Sequence, residues 1–249
     1  MPISAPTARP FPIRPSDCYQ LNRLRWQQAS GAPGVGQLVK WVSMETVEDV
    51  RRVRLVGGNL ALDFVNTRTG PPDGPPDDDV LTGYPELVAW GVYAGALTEA
   101  EAAALGRLSR ADPDGARAAH TRALRSRGCL DEIFRALAAD RSPSSSALTL
   151  LRDDEADALG HARLERASGY TWSWRDDNTL ARPLRPVVHA AVQLLTTGTL
   201  DRIKGCGGCR FLFTDESKNR SRRWCSMDDC GTAEKIRRYV TARRTRATR

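Results

Sequence analysis

The sequence predicts an α+β fold: a mostly helical body with a small antiparallel sheet, followed by a carboxy-terminal treble-clef-like cysteine module. Three observations carry this reading. Apolar residues recur at helical spacing through much of residues 84–139 and again through 182–197. An aromatic stretch, 162–175, alternates around a Ser-Gly pair as the two strands of a hairpin do. Four of the six cysteines stand in two close pairs between positions 206 and 230.

The chain has 249 residues, enough for one sizeable domain and a small appended module. Hydrophobic residues make up 41% and charged residues 27%, the balance of a globular protein rather than of a disordered or membrane chain. The longest apolar run, Leu87–Leu97, has 11 residues, about half of what a bilayer-crossing helix needs. The amino terminus lacks the compact apolar core of a signal peptide. The expectation is a cytoplasmic protein with no membrane segment.

The elements follow in chain order. Residues 1–43 are punctuated by Pro and Gly without a sustained period, and read as a poorly ordered extension. Met44 comes next, just ahead of a periodic segment, and is a candidate biological start. The larger domain is expected over residues 50–200. Leu55–Thr67, LVGGNLALDFVNT, alternates as a strand would, yet is also apolar enough for a short buried helix. The Pro- and Asp-rich residues 70–79 form an exposed loop. Tyr84–Ala96 reads as a helix packing through Leu87, Val88, Trp90 and Val92. Thr98 and Glu101 form a capping box for a helix to about Ser109. Asp112–Pro113 opens another helix to about Ala139, with a weak point at Gly128 and an apolar face of Leu124, Ile133, Phe134 and Leu137. Arg141–Ala147 is a turn, and Leu148–Leu151 carries a strand signal. Leu164, Tyr170, Trp172 and Trp174 fit a hairpin turned at Ser168–Gly169. Arg182–Thr197 is a helix with Pro183 and Pro186 near its start, packing through Val187, Val188, Ala191, Leu194 and Leu195.

Residues 202–245 form the second domain. Cys206-x2-Cys209 and Cys225-x4-Cys230 are separated by fifteen residues, a spacing suited to one zinc ion held tetrahedrally by four thiolates. Gly207–Gly208 permits a tight turn between the first two ligands. Phe211 and Phe213 can pack beneath the ion. The second pair opens a helix, roughly Thr232–Arg244, with Ile236 and Val240 on its inner side. Disulfides are the alternative, but they require an oxidising compartment to which nothing in the sequence directs the chain. A redox Cys-x-x-Cys belongs beside a βαβ pattern, which is lacking. Four cysteine ligands close the coordination shell, so the expected zinc is structural. Cys18 and Cys129 read as ordinary thiols.

Charge is distributed unevenly. Residues 202–249 hold 14 Lys and Arg against 5 Asp and Glu, whereas the rest of the chain holds 23 against 25. The inter-pair loop supplies Lys218, Asn219, Arg220, Arg222 and Arg223, and the helix supplies Lys235, Arg237 and Arg238, with Lys235 and Arg238 on a face opposite Ile236 and Val240. Cations on two sides of a rigid metal core suit a nucleic-acid backbone; a solvated basic face is the plain alternative. Trp224 reads as core packing. His120, His161 and His189 are isolated, and no nucleophile elbow, P-loop or dinucleotide fingerprint is present, so no enzyme is expected. Asp63 and Asn66 either line a ligand pocket for a small-molecule effector or serve local capping and turns.

Cys206-Gly-Gly-Cys209, Phe213, Asp215, Ser217, Arg223-Trp-Cys-Ser-Met227, Cys230-Gly231 and Lys235 resemble the CGNR-type zinc finger. Gly57–Thr67 and Leu87–Trp90 resemble the ABATE domain that precedes that finger. The resemblance covers about residues 50–245 and implies a bacterial, stress-related transcription regulator. One departure stands out: the family's Cys-Gly-Asn-Arg is Cys230-Gly231-Thr232-Ala233 here. Where the missing groups contact DNA, weaker or redirected binding follows; where they brace the finger, Thr232 can still cap the helix. The expectation is a DNA-binding regulator whose larger domain senses a ligand or mediates assembly, against the alternative of an RNA-binding or protein-docking zinc module.

Overall fold

The computed structural model describes residues 44–166, 169–174 and 179–247. The extension 1–43, Cys18, and the Ser168 and Arg175 positions of the expected hairpin lie outside the described residues. Helices dominate: α1 (Met44–Arg51), α2 (Leu60–Val65), α3 (Tyr84–Tyr93), α4 (Glu99–Ala111), α5 (Pro113–Ala138), α6 (Ser145–Gly160), α7 (Arg185–Thr197) and α8 (Thr232–Ala247). Three antiparallel strand pairs accompany them: β1 (Arg68–Thr69) with β2 (Asp78–Asp79), β3 (Ala162–Arg166) with β4 (Tyr170–Trp174), and β5 (Ile203–Gly205) with β6 (Leu212–Thr214). The α+β reading holds, with three separate two-stranded sheets in place of a single one among the described residues.

The centre of the body is α2. Every one of its six residues is buried, and it packs against α5, α7 and the finger strand β6. A helix apolar on every side but Asp63 must be surrounded, and this explains why Leu60, Leu62 and Phe64 mimic strand alternation: both faces are inside. Asn59 caps it, accepting from the Ala61 amide at 2.9 Å. Phe64 lies 5.0 Å from Trp90 of α3, ring centre to ring centre, and both are fully buried.

The capping box at Thr98 and Glu101 forms as expected, and α4 runs two residues past Ser109. Asp112 caps α5 through the Gly115 amide. That helix continues unbroken through Gly128, because Arg127, Leu130, Asp131 and Ile133 around it are all buried and outweigh the ~1 kcal/mol a helical glycine costs. Arg127 donates to the Thr67 hydroxyl and Asp79, gathering both ends of the exposed 70–79 loop.

Two expectations are corrected. Leu148–Leu151 is not a strand but lies inside α6, whose N-cap is Ser144 of the expected turn. Glu132 accepts from both the amide and the hydroxyl of Ser144, fixing that start. Four residues are too few to distinguish periods; Ala147, Leu151 and Ala158 show the helical one. The expected β3–β4 hairpin forms, with Leu164 opposite Trp172. Leu164, Tyr170 and Trp172 are nevertheless exposed, and Trp174 alone of the four packs on the core. Trp172 and Trp174 stand edge-on to His189, which is paired with Glu155 at 2.7 Å. The last helix of the body begins at Arg185, three residues later than expected, with Arg182 and Pro183 in the preceding turn. Among the described residues no helix is long and apolar enough to cross a membrane.

Candidate metal centre and basic face

The finger starts as a hairpin. Strands β5 and β6 pair with Ile203 opposite Thr214 and Gly205 opposite Leu212, and the knuckle between them carries Cys206 and Cys209. Cys206 closes it by donating its amide to the Phe211 carbonyl at 2.8 Å. The two glycines have a different job from the one the spacing suggests. Neither has a left-handed backbone; a Cβ on Gly207 would lie 2.7 Å from the Trp224 ring, and one on Gly208 would lie 2.9 Å from Cys230 Cβ. They are glycines because the second half of the site passes against them.

That second half is Cys225, then a single turn, Met227–Gly231, holding Cys230 at the start of α8. All four Sγ atoms lie within 4.8 Å of one another, with Cys209–Cys225 and Cys225–Cys230 at 3.6 Å. A tetrahedron of thiolates about 2.3 Å from zinc has an edge of ~3.8 Å, so these separations are those of ligands sharing one ion. They are also far longer than a disulfide, and the four cysteines are free thiols. Cys206 accepts from the Cys225 amide at 3.2 Å and from the Gly208 amide at 3.4 Å. Hydrogen bonds from the Cys209 and Cys225 thiols and from these amides hold Cys206 well below the usual thiol range, whereas the neighbouring Cys206 pushes Cys209 up to about 12. Four sulfurs this close cannot all ionise unless a cation compensates them, and the donor set fits zinc. Phe213 is fully buried beneath Cys206 and Cys225, with Trp224 against the same cluster, as expected; Phe211 bridges the finger core and the body core.

The basic residues divide into two kinds. Arg222 is not available to a ligand in the way its loop position suggests. Its guanidinium lies 4.3 Å over the Phe213 ring and donates to the carbonyls of Trp224, Cys225, Thr214 and Val56. Substituting Arg222→Ala is expected to cost about 2–3 kcal/mol in thermal unfolding, through lost charged hydrogen bonds and uncovered carbonyls; Arg223→Ala should leave stability within ~0.5 kcal/mol. Lys218, Asn219, Arg220, Arg223, Lys235, Arg237 and Arg238 are exposed. Arg220 pairs with Asp201, Arg223 stacks 5.4 Å from the Trp224 ring, and Arg237 and Arg238 share Glu234. Such surface pairs exchange readily with other anions.

Ile236 and Val240 do not face inward. They are 59% and 40% exposed, and Tyr239 is 62% exposed, because α8 packs against the Met227–Gly231 turn and then leaves the molecule. The expected placement of Lys235 and Arg238 opposite an inner apolar side therefore falls away. Thr232 donates its hydroxyl to the Met227 carbonyl at 3.0 Å, closing the turn that carries Cys230, and Ala233 is exposed.

Asp63 and Asn66 serve the local backbone bonding that is one of their two readings. Each is 1% exposed and bonded to backbone. Asn66 donates Nδ2 to the Leu212 carbonyl and accepts the Leu212 amide on Oδ1, both at 2.8 Å. It thus acts as an extra strand residue beside β6. Asp63 accepts the Gly57 amide at 2.8 Å, and the Gly57 carbonyl in turn accepts the Thr214 amide at 2.8 Å. Sequence reasoning missed Arg210, between Cys209 and Phe211. It is buried, and it reaches Asp131 on α5 at 2.9 Å and the Gly74 carbonyl at 2.9 Å. Asp131 also accepts from Arg68 and Arg135, so one carboxylate on the body gathers three guanidinium groups around the knuckle. Asp215 has a structural role that its place in the motif does not announce. Burial raises its carboxyl, but Lys204 at 2.7 Å and Ser217 more than reverse this and hold it below the ordinary carboxylate range. Asp215 also accepts the Arg222 amide, which ties the basic loop to β5.

A hairpin knuckle and a helix start converging on four thiols define a treble-clef-like, four-cysteine zinc finger seated on a helical body. The ABATE model, described as "Putative stress-induced transcription regulator", matches residues 58–198, and the CGNR zinc finger model matches residues 202–244. The chain belongs to the ABATE family and carries the CGNR zinc finger at its carboxy-terminal side. No curated protein matches it.

Proposed function

We propose that this protein is a bacterial, cytoplasmic DNA-binding transcription regulator and not an enzyme, with the zinc finger as the DNA-contacting part. The observation that carries this reading is the set of exposed cations (Lys218, Arg220, Arg223, Lys235 and Arg237) on the loop and helix next to a four-thiol site that leaves zinc no open position for catalysis. Arg222 is left out, since its donors are spent inside the finger. The family description supports a regulatory role. The body bears on the finger through Asn66 and Gly57, through Arg54 bonded to Asp229 and through Arg135 donating to the Arg210 carbonyl, so an effector or partner that shifts the body acts on the DNA contacts through them.

The test is a titration of the zinc-loaded full chain against duplex DNA at several salt concentrations, with single-stranded RNA in parallel. Affinity should fall with a log–log slope of about −0.9 per phosphate neutralised. The triple variant Lys218→Ala, Arg223→Ala, Lys235→Ala should flatten that slope by up to ~3 while keeping its zinc. Binding that ignores salt, or that prefers single-stranded RNA, sinks the proposal.

A further inference from the structure

Helix α8 exposes an apolar stripe that the zinc core does not use. Ile236, Tyr239, Val240 and Arg243 recur at intervals of three and four and so lie on one side of the helix. All four are exposed, and Ile236, Tyr239 and Val240 are large apolar side chains that a folded surface ordinarily covers. Arg243 lies 5.6 Å over the Tyr239 ring and donates to its hydroxyl at 3.3 Å, which orders both side chains within the stripe. Lys235 and Arg237 flank Ile236 in sequence and therefore project about 100° to either side of it. Arg238 falls on the far side of the helix from the stripe. The helix thus has an apolar centre with a cation on each shoulder, and it stands clear of the body.

The shoulders decide what covers the centre. From Thr232 to Ala247 the sequence holds six Lys and Arg against the single Glu234. Two copies of this helix pairing along their stripes would bring like charges together. A groove with an anionic wall on each side and apolar groups on its floor is complementary to it. The major groove of duplex DNA has that form: phosphates line both edges, it is about 12 Å wide and admits a helix, and thymine presents a C5-methyl on its floor.

We infer that α8 enters the major groove with Ile236 and Val240 against thymine methyl groups and Lys235 and Arg237 on opposite phosphate strands. Tyr239 and Arg243 complete the surface facing the bases. This rests on the DNA-binding reading above and adds which groove is read and by which residues. It makes Arg238 dispensable, although Arg238 is as basic as its neighbours.

The experiment compares two short A·T-rich duplexes, one with thymidine and one with deoxyuridine at every thymidine position. The change removes the C5-methyls and leaves every phosphate in place. The full-length zinc-loaded protein is expected to bind the thymidine duplex about five- to tenfold more tightly, the worth of one to two buried methyl groups. The double variant Ile236→Ser, Val240→Ser, whose side chains are exposed and whose zinc content is measured first, should lose that preference and keep its salt slope. Lys235→Ala with Arg237→Ala should weaken both duplexes equally, and Arg238→Ala neither. Salt-dependent duplex binding without a methyl preference, or a preference that survives the double variant, overturns the groove assignment and leaves the regulator reading standing. Absence of duplex binding overturns that reading itself. A fall in sedimentation mass in the double variant, or capture of the wild type but not the variant by anionic lipid vesicles, would give the stripe to another occupant and overturn the assignment.

Discussion

Removing zinc, by chelation or by Cys225→Ser, is expected to unfold the finger and to lower the thermal stability of the body with it. The first half follows from the size of the finger core. Phe213, Cys206 and Cys225 are its only buried members among the described residues, and three such residues cannot offset the ordering of some forty others. Zinc binding at sites of this kind contributes apparent free energies of about 10–16 kcal/mol at neutral pH, most of it realised as folding. The second half follows from where the hairpin sits. Ile203 and Leu212 belong to the body core, in contact with the cluster that includes Phe64 and Ile133. An unfolded hairpin withdraws both, uncovers β6-facing surface on α2, and leaves Asp131 without Arg210. The measurement is metal content, expected at one zinc per chain, followed by thermal unfolding with tryptophan fluorescence of the intact and stripped protein. A body transition that stays put while Trp224 becomes solvated would show the two parts to be energetically separate and refute the coupling.

That coupling is also where the sequence was hardest to read. The four cysteines and their spacing specify the metal site almost completely, because tetrahedral thiolate coordination is a local demand that a short stretch of chain meets by itself. Thr98 with Glu101, and Asp112 with Pro113, specify helix starts for the same reason. Asn66 is different. Its partner Leu212 is 146 residues away, and an amide at the end of an apolar run is equally consistent with a turn, a cap or a ligand contact. Arg222 and Arg210 are harder still. A guanidinium in a basic loop reads as surface charge, and only the fold shows that carbonyls of the Trp224–Cys225 turn and the Asp131 carboxylate have consumed it. The error on α8 has the opposite origin. Ile236 and Val240 look like the inner side of an amphipathic helix, but amphipathicity states that a face wants a partner, not that the same chain supplies it. In Leu148–Leu151 the window was simply shorter than the period it had to reveal.

Asn66→Ala is expected to be among the most destabilising single substitutions outside the metal site, although it removes only a small polar group. Both backbone groups of Leu212 point at the Asn66 amide, both bonds are 2.8 Å, and Asn66 is 1% exposed, so water cannot take its place without opening the core. Each stranded backbone group costs about 1–3 kcal/mol, giving a loss of roughly 2–6 kcal/mol. Asn66→Asp keeps the shape and the acceptor for the Leu212 amide, but it sets a carboxylate against the Leu212 carbonyl with no donor, so it should rescue little at neutral pH. Asn66→Gln keeps both functions and fails on length, since α2 and β6 are already in contact. The sign pattern separates this role from that of a ligand residue. A pocket asparagine replaced by alanine leaves an apo protein near its original stability and abolishes a ligand-induced rise in Tm. A staple asparagine lowers the apo Tm and loosens the finger. Hydrogen exchange at the Leu212 and Thr214 amides should therefore accelerate in Asn66→Ala with zinc still bound; unchanged protection there would refute the staple.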